Sequence, residues 1–272
     1  MRLPIPAAIP AAAELLAGYL SRDAARQRAA LRITGHRRRS LPYGPWVMGQ
    51  TWTDLLFAHW PVDPAHMRRL IPAQLPLDVR DGRAWLGVTP FEVRGLRPRG
   101  IPPAGPQSRF PELNVRTYVE LDGRPGIWFF SLDAGSRAAV AAARLAYRLP
   151  YFPARMRVLR SGDWIGYESE RRGGDPRPAL RARYRPTGAA APAAPGSLEH
   201  WLTERYCLYT LDGRGRLYRA EIHHAPWPLQ PAEAGIARNT MAAPLGLPCD
   251  GQPLLHFARR QDVLVWPLER VR

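Results

Sequence analysis

The residues best suited to chemistry sit in one alternating segment, Glu112-Leu113-Asn114-Val115-Arg116-Thr117-Tyr118-Val119-Glu120. On a strand, successive side chains point to opposite faces. Leu113, Val115, Thr117 and Val119 then share one face, which should meet an apolar layer. Glu112, Asn114, Arg116, Tyr118 and Glu120 share the other, which is either solvent or the inside of a barrel. A guanidinium flanked by an amide, a phenol and a carboxylate suits a small carboxylate or another planar anion, because its fork makes paired hydrogen bonds. Arg116 and Asn114 are therefore candidate ligand-binding residues, and Glu112 and Tyr118 are candidate proton-transfer groups. The competing reading is a structural network in which Arg116 pairs with Glu112 or Asp133.

The expected partner strand places Ile127, Phe129, Ser131 and Asp133 on one face and Trp128, Phe130 and Leu132 on the other. Ser131 joins the ligand-binding candidates. Asp133 precedes an Ala-rich run and is read as a helix cap, along with Gly135, or alternatively as a general base. His59 closes the apolar run Leu55-Leu56-Phe57-Ala58. It is either a buried structural histidine or, facing a cavity, a proton carrier. His223 and His224 are adjacent, so a strand sends them to opposite faces and they cannot share a metal. No other spacing supports a metal site, and none is expected. His223 and Tyr206 complete the candidate ligand-binding set. Glu204-Arg205-Tyr206 reads as a local ion pair entering a strand, and Cys207 as a small buried apolar residue.

Positioning these groups requires short strands broken by turns. Three hairpins are expected. They are Asn114–Leu121 with Ile127–Asp133, Arg155–Arg160 with Trp164–Glu170, and Tyr206–Leu211 with Arg216–His223. Their turns carry Asp-Gly or Gly-Asp, which tolerate positive φ. A last strand is expected over Gln261–Leu268. Helices are expected over Ala11–Arg32, Pro64–Leu70, Ser136–Arg148 and Ser197–Glu204 capped by Ser197, with short segments at Asp54–His59 and Pro231–Arg238. Gly173–Pro178 and Pro186–Pro195 are loops. Residues 1–45 read as a basic helical extension and linker, and residues 46–272 as a single β domain.

Several segments resemble the YqjF-like family of uncharacterised bacterial proteins within the acetoacetate decarboxylase-like superfamily. They include Trp52-Thr53-Asp54-Leu55-Leu56-Phe57-Ala58-His59-Trp60-Pro61-Val62, Pro111-Glu112-Leu113-Asn114-Val115-Arg116-Thr117-Tyr118-Val119 and Trp128-Phe129-Phe130-Ser131-Leu132-Asp133-Ala134. Thr203–Tyr209, His223–Leu229 and Phe257–Pro267 continue the match in the family's order over roughly residues 46–271. The resemblance implies a mainly β fold, a β-barrel or strongly bent antiparallel sheet around a central cavity with a few helices outside. Fold alone does not carry function. One departure is chemical. Acetoacetate decarboxylases form a Schiff base on a lysine amine, and all 39 Lys and Arg residues here are arginine. The only amine left is the N-terminal one, which lies outside the matched region.

Composition narrows the remaining classes. A chain of 272 residues, 46% of them hydrophobic, can bury a full core. The formal charge of +16 is compatible with anionic partners, and also with the arginine bias of an Ala-, Pro- and Gly-rich chain. The two cysteines form no disulfide framework and fit a reducing compartment. There is no apolar run of membrane-spanning length, and early prolines and Glu14 spoil a signal-peptide core, so the cytoplasm is the expected location. The chain lacks Gly-x-Ser-x-Gly, His-Glu-x-x-His, Cys-x-x-Cys and Gly-x-Gly-x-x-Gly, and a P-loop needs a lysine. The expected function is a barrel binding a small organic acid or carbonyl compound, with no cofactor, no specific nucleic acid and no membrane insertion, either alone or as a homo-oligomer. A lyase or isomerase reaction without a Schiff base is one form of that function. The alternative is a non-enzymatic binding or scaffold protein on the same fold.

Overall fold

The computed structural model describes residues 22–103, 105, 108–247 and 249–271. The start of the helix expected from Ala11 lies outside these residues. Strands dominate: β1 (Met48–Val62), β2 (Ala84–Pro98), β3 (Phe110–Leu121), β4 (Arg124–Ala134), β5 (Tyr151–Ser161), β6 (Trp164–Arg171), β7 (Ala179–Pro186), β8 (Cys207–Leu211), β9 (Leu217–His223), β10 (Gln230–Asn239) and β11 (Leu254–Arg270). Helices are few. α1 covers 22–29 and runs into a 3-10 turn, Ala30–Arg32. It is followed by α2 (Pro64–Arg68), α3 (Arg137–Tyr147) and α4 (Leu198–Thr203). No helix among the described residues is long and apolar enough to cross a membrane.

The three expected hairpins form. At the first, Asp122 (φ 54°) and Gly123 (φ 66°) both take positive φ, the two-residue turn whose twist matches its strands. The sheet runs β1-β2-β3-β4-β5-β6-β7-β10-β11-β9-β8 and gains two further ladders, β1–β11 and β4–β8. These ladders bend it back on itself. β1-β2-β3-β4-β8-β9-β11 is a closed cycle of pairings, and β5, β6, β7 and β10 form a second cycle with β1 to β4 and β11. The β4–β8 ladder is short and parallel, Ile127 with Leu208 and Trp128 with Tyr209. Gly126 permits it, because a Cβ there would lie 2.6 Å from the Tyr209 ring and 2.8 Å from Cys207 Sγ.

The shared strands are buried on both faces. Leu56, Ala58, Trp60, Val88, Leu113, Val115 and Val119 pack toward Tyr167, Leu180 and Tyr184 of the second cycle. Leu55, Phe57 and Phe91 pack on the other side with Trp227. The Tyr167 hydroxyl donates to the carbonyls of Glu112 (2.6 Å) and Phe91 (3.0 Å), tying the two layers together.

Two expected helices are strands. Asp54–His59 lies within β1, and Pro231–Arg238 lies within β10. Residues 55–60 are buried on both faces, so their apolar run carries no period that separates strand from helix. At Pro231–Arg238 pairing along β7, Ala232 with Pro186 through Asn239 with Leu180, overrides the Ala-Glu-Ala preference for helix. β2 and β7 are strands beyond those that the sequence pattern marks. The expected helices at Pro64, Ser136 and Ser197 are present as α2, α3 and α4. The Ser197 side chain caps α4 by accepting from His200 N.

Residues 22–45 pack against the sheet. Asp23 and Gln27 are buried. Asp23 pairs with Arg260 at 2.9 Å, and Gln27 donates to the Gly95 carbonyl and accepts from Arg97 Nε at 2.8 Å.

Candidate active site

The seven-strand cycle encloses a cavity of about 190 Å³. Its walls are mainly apolar, with Trp52, Phe91, Phe129, Leu132, Ile222 and Trp227 among them, and the Ala-rich side of α3 lies along one edge. Glu112, Asn114 and Arg116 enter it together from β3. The alternation that groups them holds because β3 is regular along this stretch and its opposite face is buried against the second cycle.

Arg116 is the outlying residue. It is 5% exposed, and among the described residues its guanidinium has no hydrogen bond and no carboxylate within 4.0 Å. Its Nε is buried without a partner. The group lies over the rings of Phe57 (5.2 Å) and Tyr118 (5.9 Å). Neither Glu112 nor Asp133 pairs with it, so the structural network considered above does not form. The Asn114 side-chain oxygen is also buried and unpartnered. Gly87 makes room for the arrangement. It is in register with His59 on one side and Arg116 on the other, and a Cβ there would come 3.2 Å from Arg116 Cγ and 3.3 Å from His59 Cδ2.

Glu112 accepts from the Tyr151 hydroxyl at 3.1 Å. Burial pushes its carboxyl up to about 8, only partly opposed by that hydrogen bond, so it is mostly a neutral acid at pH 7. His59 and Tyr118 lie behind this surface and not in the cavity wall. They bond each other at 2.6 Å. Burial, reinforced by the Arg116 charge and then by His256, keeps His59 well below its usual range, so the imidazole is neutral.

The remaining sequence candidates fall elsewhere. Opposite Val115 and Arg116, β4 carries an extra residue: Val115 pairs with Ser131 and Arg116 with Phe129. Such a bulge reverses the facing of everything beyond it. Leu132 therefore joins Ile127 and Phe129 in the cavity wall, while Ser131 and Asp133 turn away. Asp133 does not cap α3. Ser136 does, accepting from Ala139 N at 3.3 Å. Asp133 instead forms a buried two-pronged pair with Arg171, Nη2 to Oδ1 at 2.7 Å and Nε to Oδ2 at 3.2 Å. His223 binds the Ala30 carbonyl at 2.8 Å, beneath the N-terminal segment. Tyr206 donates to Glu204 and stacks on His224 at 4.6 Å. The Glu204–Arg205 ion pair does not form, since Arg205 binds Asp78 at 2.6 Å. Cys207 is buried and its thiol is pushed up to about 12 by burial, so it stays protonated at neutral pH.

The sequence reading missed several wall residues, namely Tyr151, Arg205, His224 and Trp227. They come from three separate segments, with His224 and Trp227 together in the connection between β9 and β10. Only the opposite facing of His223 and His224 had a signal in the sequence. Among the described residues, no group of three His, Cys, Asp or Glu side chains could hold a metal ion.

Comparison with known proteins agrees with this architecture. The acetoacetate decarboxylase of Legionella pneumophila superposes with a TM-score of 0.55 at 12% identity, over 88% of this chain and 93% of that one. The enduracididine biosynthesis enzyme MppR, in a structure complexed with pyruvate, gives 0.57 at 11% identity over 86% and 93%. At such identities the likeness is one of fold. In sequence, the chain is 50% identical to the uncharacterized protein YqjF of Bacillus subtilis (strain 168) over 232 residues, 85% of this chain and 95% of that protein. Residues 49–262 match the family DUF2071, "Uncharacterized conserved protein (COG2071)". The chain thus belongs to the DUF2071 family, is similar to YqjF, and is built on an acetoacetate decarboxylase-like fold.

Proposed function

We propose that the central cavity binds a compact organic acid, with its carboxylate on Arg116 and its apolar body against Phe129, Leu132 and Trp227. The observation that carries this reading is the unpaired guanidinium. A buried charge without a partner is costly, and cations in such places normally hold or await an anion. The Asn114 amide, one strand repeat away, offers a second polar contact. The volume bounds the ligand, since about 190 Å³ is slightly above the ~150 Å³ of an apolar cavity that takes up benzene. A carboxylate carrying a body of about one ring in size fits. The pyruvate in the MppR complex, a small keto acid on the same fold, supports the class.

If the site is catalytic, Glu112 is the proton donor, and a lyase or isomerase reaction on a carbonyl acid suits a neutral carboxyl better than a nucleophilic mechanism does. The Schiff-base route has no lysine to use. A pure binding protein is the second reading. It draws on the placement of His59 and Tyr118 behind the wall, which leaves Glu112 as the single proton carrier among the three candidates.

Thermal denaturation with pyruvate, benzoate and phenylacetate tests the site. A ligand at ~100 times its dissociation constant should stabilise the fold by about 2.7 kcal/mol, and Arg116→Ala should abolish that gain while remaining folded. The absence of a shift with every acid, or equal shifts in both proteins, would overturn the assignment.

A further inference from the structure

We propose that a second pocket, on the outer side of Arg205, binds a phosphate group, either free or as a small monoester. The pocket has a volume of about 160 Å³ and lies between the basic segment 36–39, the β3–β4 turn and α4. Six arginines line it: Arg37, Arg38, Arg39, Arg80, Arg124 and Arg205. Three of them have carboxylate partners in its wall. Arg37 and Arg124 share Glu221 (3.3 and 3.0 Å), and Arg205 holds Asp78 (2.6 Å).

The other three do not. Arg39 donates to the Asp122 carbonyl at 3.1 Å and Arg80 to the Gly196 carbonyl at 2.6 Å. Arg80 also meets Asp81 at 3.4 Å, but that carboxylate is mostly exposed. Arg38 has no hydrogen bond or ion pair among the described residues. Of the lining carboxylates, Glu204 is engaged only by neutral donors, the Tyr206 hydroxyl and Trp227 N (2.9 Å), so six arginines face four carboxylates, Asp78, Glu120, Glu204 and Glu221, and the lining stays positive by two.

Arg205 adds an independent observation. It is 2% exposed. Its Nε donates to the Trp201 carbonyl at 2.7 Å and its Nη1 to Asp78, while Nη2 is buried with no partner. The guanidinium lines the pocket and is fixed on two edges, so its positive charge is held in place before any anion arrives. Several forked donors around a polar space suit a tetrahedral dianion, whose oxygens can accept from more than one of them, better than a monocarboxylate. Trp201 lies under Arg205 at 4.4 Å and gives an aromatic wall for an organic substituent. The two sites are separate in chemistry, one apolar and one basic. They share Arg205, which lines both and lies 5.0 Å over the Tyr118 ring.

Calorimetric titration of the full chain with inorganic phosphate and with adenosine monophosphate tests the site. Two variants of equal charge change are compared, Arg38→Ala/Arg80→Ala in the pocket and Arg155→Ala/Arg157→Ala on exposed positions of β5. The expected result is saturable one-site binding that weakens about tenfold or more in the pocket variant, the loss of two charge-assisted hydrogen bonds, and is unchanged in the β5 variant. Tighter binding of the nucleotide than of phosphate assigns the site to an ester, and the reverse assigns it to the free ion. Unsaturable heats, or equal weakening in both variants, would reduce the pocket to the general charge of the chain and overturn the proposal.

Discussion

Burial sets the protonation of Glu112. Its carboxyl ionises near 8 in the fold and near 4.5 when unfolded. Between those values the native state holds a proton that the unfolded state has lost, so stability falls as pH rises, by at most about 1.4 kcal/mol per unit. The contribution is full below about 4.5 and gone above about 8. Urea unfolding between pH 5 and 8 should show this slope in the native sequence and a shallower one in Glu112→Gln. Identical slopes would show that Glu112 does not titrate in this way. Arg116 carries the opposite liability. Replacing it with Met removes an unpartnered buried donor, whose cost is about 1–3 kcal/mol. The ligand-free variant should therefore unfold at equal or higher denaturant concentration than the parent, even as acid binding disappears. A marked loss of stability would mean that Arg116 has a structural partner.

At the scale of the element, the cavity depends on how β4 is held. Its bulge at Phe130 swings Leu132 inward, and its contact with β8 closes the cycle. The close approach at Gly126 is pinned by the Tyr209 hydroxyl, which donates to the Arg124 carbonyl at 2.9 Å. Gly126→Ala places a methyl group into Tyr209, Cys207 Sγ and the Cys207 carbonyl. Overpacking of that kind costs roughly 1–3 kcal/mol, visible as a lower urea midpoint, and it should perturb Trp128, which pairs with Tyr209. A midpoint equal to the parent's would show that the β4–β8 ladder is dispensable.

For the molecule as a whole, the basic segment 22–45 acts as a cover for the sheet. Removing residues 1–45 strips Asp23 from Arg260, Gln27's contacts with Gly95 and Arg97, and the Ala30 carbonyl that holds His223. Several buried polar groups are exposed or orphaned at once, at about 1–3 kcal/mol each. The truncated chain should thus fold poorly, with broad and early thermal unfolding. A sharp transition at the parent temperature would establish residues 46–272 as self-sufficient. Within the same frame, the net charge of +16 is partly organised, since arginines gather around the Arg205 pocket while others pair locally on the surface.

Sequence alone determined the strand that builds the site. Local alternation is a property of neighbours, and Glu112, Asn114 and Arg116 share one face because a pleated backbone leaves them no other arrangement. The Asp-Gly turns, the Ser197 cap and the absence of lysine were equally legible, since each depends on one or two residues. Tertiary structure decided the rest. The fate of Ser131 and Asp133 turned on a bulge that exists only in the pairing of two strands. Residues 54–59 and 231–238 became strands because neighbouring strands satisfied their backbone groups, which no local preference encodes. Whether Arg116 found a carboxylate depended on where Asp133 and Glu112 went, to Arg171 and Tyr151. An unpaired charge is a statement about three-dimensional neighbours, and only the closed cycle of strands makes it one.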